Sequence, residues 1–289
     1  MHVDFHTPVM VEEVLAGLDC QPGDTVVDAT LGSGGHALAI LNRIGQSGLL
    51  IGIDKDENAI ALASKRLHAF KNVTIHRMDW RGMEGSLNVK ADGFLMDVGL
   101  ASFQIEDASR GFSYALDGPL DMRFDQQSPI TAVALVNDLS ERELGDILRS
   151  YGEEKYAKRI ARDIIRERAR QPIERTSHLA RIVRGAVRGN PKKSLARCFQ
   201  AFRIAVNGEL DALRTAVEYG IQILRPKGRI CTITYHSLED RIVKTLFREA
   251  DNSILNVLTR KPLTPSRHEV MENPKARSAK LRTAEKKDG

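Results

Sequence analysis

The hydrophobic and polar positions of the first hundred residues alternate between two patterns. Short apolar runs, typical of buried strands, occur at residues 25–28, 49–54, 73–76 and 93–97. Between them, residues 36–44 and 56–69 follow a helical period. Alternation of strands and helices at this spacing predicts βαβ units and a mostly parallel, Rossmann-like α/β sheet.

The pattern changes after Asp97. Residues 103–127 are rich in Gly, Asp and aromatic residues and show no clear period. Helical patterns follow, and Ser140 and Glu143 have the spacing of a capping box for a helix that ends near Gly152. We expect more helices over residues 153–170, 176–188 and 194–224, then a strand over 229–235 and a helix over 237–249.

This order predicts one α/β domain that is interrupted by an inserted all-α helical domain. We expect the first part of the α/β domain at residues 1–103 and its second part at residues 201–260. Residues 104–200 form the loop and helical insertion, with a role in substrate recognition, and residues 261–289 form a basic C-terminal tail.

Charge is divided unevenly along the chain, although the net charge of the 289 residues is only +5. Residues 149–203 carry a net +11 and residues 260–289 a net +5, which leaves −11 for the remainder. An acidic body with basic segments suggests a polyanionic partner that only part of the molecule reaches. Helices with solvated, Arg-rich faces are the alternative explanation.

Composition excludes several classes of protein. Hydrophobic residues make up 42% and charged residues 28% of the chain, which excludes wholesale disorder. We expect no membrane partner, because no run of 18 apolar residues occurs. The N-terminus lacks the features of a signal peptide, and Cys20, Cys198 and Cys231 belong to no motif. We therefore expect a cytoplasmic protein without a metal site.

A glycine-rich loop, residues 27–36, joins the first strand to the first helix. Glycines there let the backbone approach a ligand and leave helix N-terminal N–H groups free to bind it. Gly32, Gly34 and Ala37 satisfy the dinucleotide fingerprint, and Asp54 follows at the spacing that this fingerprint requires. The loop alone is therefore compatible with a nicotinamide cofactor.

Carboxylates favour a different cofactor. Asp28, Asp54, Asp79 and Asp97 lie at or just past the ends of successive predicted strands, which face one crevice in an open α/β sheet. They would repel a pyrophosphate but attract the ammonium and sulfonium of S-adenosylmethionine. Asp54 is then a partner for the ribose diol, and Trp80 offers a face to adenine unless it is a core residue. Any single one of these Asp residues could instead be a turn residue or helix cap.

Longer segments resemble the MraW/RsmH family of bacterial methyltransferases, which modify the N4 amine of a cytidine in the decoding region of 16S ribosomal RNA. The similarity is carried by residues 27–36, 97–104, 110–113, 117–123, 151–154, 199–207, 236–244 and 272–278. It implies a class I methyltransferase fold with a helical insertion, S-adenosylmethionine as cofactor, and ribosomal RNA or the small ribosomal subunit as partner. The cofactor residues that it implies are Gly34, Gly35, His36, Asp54, Trp80, Asp97 and Gln104.

The chain also departs from the family pattern. The family's Asp-Leu-Gly-Val-Ser-Ser-Pro-Gln reads Asp97-Val-Gly-Leu-Ala-Ser-Phe-Gln104, and its Ser-Phe-His-Ser reads Thr234-Tyr-His-Ser237. These positions lie where a substrate base is expected, so the target base stays open. The same chemistry on another RNA site and a catalytically silent RNA-binding assembly factor remain alternatives, while a nicotinamide oxidoreductase is disfavoured.

Asp97 is the first candidate for catalysis. A carboxylate that accepts a hydrogen bond from the N4 amine of cytosine helps to localise the nitrogen lone pair, which is otherwise delocalised into the ring. Holding the cofactor is the competing role for Asp97. Ser102 and His236 are lesser candidates for contacting the base. We expect Ser237 and Asp240 to form a capping box for the next helix.

Candidates for RNA binding fall into two groups. Arg110, Phe112 and Arg123 lie in the aromatic segment, where bases can stack, although aromatics there could equally pin the loop to the body. A basic stripe at helical spacing can follow phosphates and includes Arg159, Arg162 and Arg166, with Lys192 and Lys193 nearby. The sequence leaves the oligomeric state open, and a homodimer is one alternative.

Overall fold

A computed structural model describes residues 8–100, 102–251 and 253–288, apart from the side chains of residues 102 and 103. The chain divides into two compact units. Unit 1 consists of Met1–Gly99 and Leu210–Gly289, and unit 2 consists of Leu100–Glu209. Unit 2 is thus an insertion between two parts of unit 1, and its second boundary lies at residue 209 rather than at the expected 200.

Unit 1 is built on a seven-stranded sheet with the order β3-β2-β1-β4-β5-β7-β6. Strands β1 to β5 run parallel to one another, and β7 runs antiparallel to both β5 and β6. The strands are β1 Thr25–Asp28, β2 Leu49–Asp54, β3 Val73–Arg77, β4 Ala91–Asp97, β5 Leu224–Thr234, β6 Leu255–Val257 and β7 Lys280–Lys286. This sheet confirms the predicted mostly parallel α/β architecture.

Twelve helices accompany the strands within the described residues. Those before the insertion are α1 Val11–Leu18, α2 Gly35–Ile44 and α3 Glu57–Arg66. Unit 2 contains α4 Ser102–Glu106, α5 Ala132–Asp138, α6 Glu141–Ser150, α7 Ala157–Arg168, α8 Thr176–Ala186 and α9 Lys192–Asn207. The last three are α10 Glu209–Ile223, α11 Ser237–Ala250 and α12 Arg267–Glu272.

Alternate residues of the central strands enter two separate apolar cores, one on each face of the sheet. Val26 and Leu95 pack with side chains from α1, α2 and α3, whereas Val27 and Phe94 pack with side chains from α10 and α11. All four are inaccessible to solvent. Burial of each such side chain contributes about 1.5–3 kcal/mol. This two-sided burial explains why the strands read as continuous apolar runs.

Unit 2 has its own apolar core, formed mainly by α5 to α9. The predicted capping box at the start of α6 is present, because Ser140 and Glu143 each bind the backbone N–H of the other. A tight loop packs against these helices. Gly118 lies so close to Ala108 that a Cβ atom there would be 1.8 Å from the Ala108 carbonyl oxygen. Gly118 N–H also donates to the buried Thr176 hydroxyl.

Two expected elements differ from the structure. The helix expected over residues 194–224 is two helices, because Gly208 adopts a left-handed φ of 58° and ends α9. The segment expected to be a basic tail, 261–289, contains β7, which pairs with β5 inside the sheet. Its basic side chains are partly neutralised there, since Asp240 receives hydrogen bonds from Arg282 and Lys280. Among the described residues, no helix has the length and apolar character needed to cross a membrane.

Candidate active site

Three of the four predicted carboxylates end neighbouring strands. Asp28 ends β1, Asp54 ends β2 and Asp97 ends β4, and these strands are adjacent in the order β2-β1-β4. The carboxyl ends of parallel strands meet at one edge of the sheet, so the structure brings the three together at the crevice where α/β proteins bind ligands. Asp79 follows the end of β3 by two residues.

The glycine-rich loop is held in place by Asp54. Gly32 and Gly34 have positive φ values of 51° and 78°, which favour glycine, and Gly34 is the N-cap of α2. One carboxylate oxygen of Asp54 accepts a hydrogen bond from Gly32 N–H at 2.8 Å, and the other accepts one from Asp56 N–H at 2.9 Å. Burial raises the pKa of Asp54, and these bonds oppose that effect.

Asp28 and His36 place buried polar atoms that lack a hydrogen-bond partner in the described residues at this edge. Asp28 is only 1% exposed, and its Oδ1 accepts a hydrogen bond from Thr30 N–H at 3.1 Å. Among the described residues, Asp28 Oδ2 and both ring nitrogens of His36 have no hydrogen-bond partner. Burial raises the pKa of Asp28 to about 6, although His36 and Thr30 act against this shift. Buried polar atoms left open in this way are suited to contacts with a ligand.

Asp97 lies between two side chains that fix its carboxylate. Its Oδ1 accepts a hydrogen bond from the Tyr235 hydroxyl at 2.8 Å, and its Oδ2 lies 3.4 Å from His36 Nε2. Its backbone N–H donates to Thr30 Oγ1 at 2.6 Å. The Asp97 side chain is 21% exposed. Sequence reasoning assigned no role to Tyr235, which directly follows β5, or to Thr30, which lies two residues after Asp28 at the end of β1.

Asp79 and Trp80 are more constrained than expected. Asp79 forms ion pairs with Arg81 at 2.7 Å and Lys55 at 3.5 Å. Burial alone raises its pKa, but hydrogen bonds from Arg81 and the charge of Lys55 outweigh this effect and lower the pKa to about 2. Asp79 is therefore already compensated and adds little attraction for a cation. The Trp80 indole N–H donates to the Ala29 carbonyl at 2.6 Å, which holds the half-buried ring in one orientation.

His236 caps a helix. Its Nδ1 accepts a hydrogen bond from Glu239 N–H, and the Glu239 carboxylate accepts one from His236 N–H, which completes a capping box at the start of α11. The expected capping box of Ser237 and Asp240 is therefore wrong by one residue. Asp240 instead binds Arg282 at 2.7 Å. The expectation that His236 contacts the substrate base stays a prediction, and the cap gives the residue a structural role in any case.

Two predicted residues belong to unit 2. Gln104 lies on α4 and is 5% exposed. Ser102 begins the same helix, but its side chain lies outside the described residues. Their assignments to cofactor binding and catalysis therefore remain predictions.

The residues of the aromatic segment that were predicted to contact RNA make their contacts inside unit 2, so an RNA contact for them stays a prediction. Arg110 is 5% exposed and donates to the carbonyls of Arg123 and Phe124, both at 3.0 Å. Phe112 is 6% exposed and stacks on Phe124 with ring centroids 5.3 Å apart. Arg123 is bound to Asp121 at 2.7 Å. These residues pin the loop to the helices.

The predicted basic stripe lines a groove of about 420 Å³ on α7 and α8. Its lining includes Arg159, Arg162 and Arg166 of α7, and α8 adds Arg181, which sequence reasoning missed. Three of these cations are engaged, because Arg166 pairs with Asp163, Arg181 pairs with Glu167 and Arg159 donates to the Gly185 carbonyl at 3.4 Å. Arg162 is exposed and makes no ion pair or hydrogen bond with the described part of the chain. Lys192 and Lys193 are exposed at the start of α9.

Unit 1 residues fit S-adenosylmethionine in their chemistry. Among the described residues, Asp28 Oδ2 and His36 Nδ1 are buried without a hydrogen-bond partner, as contacts with a polar ligand require. Each Asp54 oxygen accepts one backbone hydrogen bond, and a carboxylate has capacity for more, which suits a ribose diol. The donor set is thus compatible with a cation-bearing nucleoside. Within the described ranges, no three His, Cys, Asp or Glu side chains are grouped as metal ligands.

Comparison with known proteins agrees with this site. The sequence model described as the MraW methylase family matches residues 4–287. The chain belongs to the MraW methylase family. Membership confirms the resemblance seen in the sequence, and it makes the chain an S-adenosylmethionine-dependent methyltransferase.

Relatives align with this chain over nearly their whole length. A protein of Heliobacterium modesticaldum named ribosomal RNA small subunit methyltransferase H is 43% identical over 313 residues, which cover 98% of this chain and 99% of the relative. One of the same name from Caldicellulosiruptor saccharolyticus is 42% identical over 97% of this chain and 99% of the relative.

A solved structure confirms the fold class. The crystal structure of a Clostridium thermocellum chain proposed to be an rRNA methylase aligns with a TM-score of 0.50 and 12% identity, over 98% of this chain and 99% of that one. At this identity the match supports the fold alone, which is the predicted class I methyltransferase architecture with helical additions.

Proposed function

We propose that this MraW-family enzyme transfers the methyl group of S-adenosylmethionine to the N4 amine of a cytidine in the decoding region of small-subunit (16S) ribosomal RNA, in the cytoplasm. The observation that carries the proposal is the Asp97 carboxylate, held by Tyr235 at the end of a central strand, 21% exposed. The names of relatives more than 40% identical over nearly the whole chain support the choice of ribosomal RNA.

The cofactor would be held by unit 1 residues. Bound S-adenosylmethionine supplies an electrophilic methyl group on a sulfonium. Asp54 accepts hydrogen bonds from ribose hydroxyls, and Gly34 and Gly35 are assigned to the cofactor by resemblance. Asp28 and His36 provide buried polar atoms that have no hydrogen-bond partner among the described residues. We assign Trp80 to the face of the adenine ring, and Gln104 remains a candidate by resemblance only.

Asp97 acts on the nucleophile. The amine of cytosine is weakly nucleophilic because its lone pair is delocalised into the ring. The Asp97 carboxylate accepts a hydrogen bond from an N4 proton, which localises the lone pair and leaves the amine aligned for attack. Alignment of this kind is the main contribution a protein can make to an in-line displacement. An acceptor that also takes up the proton contributes typically ~10²–10⁴-fold in rate.

The RNA partner is held by unit 2. Arg159, Arg162, Arg166 and Arg181 line the groove on α7 and α8, and a cluster of cations on one face attracts phosphates. Lys192 and Lys193 extend the positive surface on α9. Because N4 lies inside any stacked or paired structure, the target base must be extruded or already single-stranded before it can react.

The experiment that tests this proposal compares ribosomal RNA from a strain that lacks the protein with RNA from the same strain after the gene is restored. Mass spectrometry should show an N4-methylcytidine that disappears in the deletion strain and returns on complementation. If every N4-methylcytidine persists in the deletion strain, the target is wrong. If complementation with Asp97→Asn restores the modification fully, the role of Asp97 is wrong. Loss of the modification in a folded Asp97→Asn variant excludes a catalytically silent assembly factor.

A further inference from the structure

The Tyr235 hydroxyl is directed at the carboxylate proposed to act on the substrate. Asp97 ends β4, and Tyr235 follows β5 directly; these two strands are neighbours, with Asp97 opposite Ile233. The hydroxyl donates to Asp97 Oδ1 at 2.8 Å. Gly99 makes room for the ring, because a Cβ atom there would lie 3.0 Å from Tyr235 Cδ2 and 3.1 Å from Cε2. The pairing of β4 with β5 and the absence of a side chain at Gly99 therefore allow the Tyr235 hydroxyl to reach Asp97.

The hydroxyl is a permanent donor. Burial, followed by the negative charge of Asp97, raises the pKa of Tyr235. The phenol therefore keeps its proton throughout the pH range in which proteins are folded. Of the two Asp97 oxygens, Oδ1 is occupied by this bond, and Oδ2 is the one that lies toward His36.

We propose that Tyr235 is a positioning residue for methyl transfer, which holds Asp97 Oδ1 and so fixes the orientation of the carboxylate that accepts a hydrogen bond from the substrate amine. This inference rests on the proposed function of Asp97. A hydrogen bond from a neutral donor has two effects on a carboxylate. It fixes the rotation of the group, and it favours the charged form over the protonated form. Both effects favour an acceptor that is ready before the substrate arrives.

Other charged groups face the same pair. His36 on α2 lies 3.4 Å from Asp97 Oδ2, and the carboxylate of Asp28 on β1 raises the local negative potential. Glu239 of α11 and Glu269 of α12 act on the Tyr235 side. Changing any of these would alter the charge of the site. Removing the Tyr235 hydroxyl leaves every charge in place, so its effect can be read separately.

Tyr235→Phe is the test, since it deletes one oxygen and keeps the ring. We expect kcat for methyl transfer to fall about tenfold, the loss expected for a hydrogen bond to a charged group. The KM values for RNA and S-adenosylmethionine should change by less than about twofold, because binding contacts are untouched. A fall in kcat without a matching change in KM separates this positioning role from a role in binding.

Tyr219→Phe is the matched control. Its hydroxyl donates to the Leu87 carbonyl at 2.6 Å, in the same unit but not to a site residue. We expect it to leave kcat and both KM values at their wild-type values. If Tyr235→Phe behaves like this control, the proposal is overturned. A loss of folding or cofactor affinity in Tyr235→Phe would make the residue structural and would overturn it too. Full activity of Asp97→Asn would instead refute the proposed function of Asp97.

Discussion

The imidazole of His236 and the backbone of Glu239 cap one helix together. His236 Nδ1 accepts a hydrogen bond from Glu239 N–H at 3.3 Å, and Glu239 Oε2 accepts one from His236 N–H at 3.2 Å. Because Nδ1 accepts, the proton of a neutral ring is on Nε2, which faces Glu239 Oε1 at 2.9 Å. Both ring nitrogens are thus directed at the helix that His236 begins.

His236→Ala should therefore lower the free energy of unfolding by about 1 kcal/mol, the usual cost of losing an N-cap. His236→Asn should keep most of this stability, since Asn is a favourable N-cap residue. Urea denaturation of both variants measures the difference. If the Asn variant is as stable as the wild type and still loses most of its methyl transfer, His236 acts on the substrate as the sequence suggested, and the cap is not its main role.

Asp28 should make stability depend on pH. Its pKa is about 6 in the folded protein, above the ordinary value of about 3.9 in the unfolded chain. The unfolded state therefore loses its proton first as pH rises, and folding stability falls between pH 4 and 6. Asp28→Asn removes this penalty. The unfolding free energy of the wild type minus that of Asp28→Asn should decrease across this window, by up to about 3 kcal/mol.

Urea unfolding of both proteins at several pH values between 3.5 and 7 measures that difference. The altered hydrogen bonding of Asn adds a constant to the difference in unfolding free energy. This constant does not change with pH, so it does not affect the predicted pH dependence. A difference that stays flat, or that increases as pH rises, would contradict the burial of the charged carboxylate.

Arg162 should contribute most directly to RNA binding among the groove cations, because it alone of the four makes neither an ion pair nor a hydrogen bond with the described residues. Arg162→Ala should reduce the slope of log K against log salt by about 1. Arg166→Ala should have a smaller effect, since Arg166 pairs with Asp163 at 3.2 Å. Binding of a small-subunit RNA fragment across a salt series provides the measurement.

Arg142→Ala is the control for that series. Arg142 is an exposed cation on α6, outside the groove, with 91% of its side chain accessible. Calorimetry should show unchanged cofactor affinity for all three variants. Equal losses of RNA and cofactor binding in Arg162→Ala would argue against a separate RNA surface.

Gly118→Ala should destabilise unit 2 strongly. Its Cβ atom would lie 1.8 Å from the Ala108 carbonyl oxygen, and this neighbour is backbone that cannot turn away. The expected cost is on the order of 3 kcal/mol. Gly185→Ala in α8 is the comparison, because no atom of the described residues, apart from the helix's own nearby backbone, lies within 4 Å of the added Cβ. It should increase stability by roughly 0.5–1 kcal/mol. Thermal melting that ranks the two variants the other way would refute the packing of this loop.

Much of the fold follows from local patterns. The strands with buried faces, the Ser140 cap and the carboxylates at strand ends are all encoded by neighbouring residues. By contrast, β6 and β7 were missed, because β7 is a charged seven-residue strand whose place in the sheet depends on pairing with the distant β5. A pattern confined to one segment does not report such pairing.

The site shows the same limit. Asp54 and Asp97 could be predicted from their positions after apolar runs. The contact between Asp97 and Tyr235 joins residues 138 positions apart, and no local signal indicates it. Arg110 and Phe112 look like RNA contacts in the sequence, because basic and aromatic residues share a loop. Their burial depends on where that loop packs, which only the tertiary structure reveals.

Methyl transfer by wild-type protein and Asp97→Asn tests the central claim most directly. Small-subunit ribosomal RNA from a deletion strain is incubated with labelled S-adenosylmethionine, and the product nucleosides are identified by mass spectrometry. We predict that the wild type yields N4-methylcytidine, and that Asp97→Asn loses at least about 100-fold in rate while binding the cofactor with wild-type affinity. Labelling of another atom, or an Asp97→Asn rate equal to that of the wild type, would contradict the account.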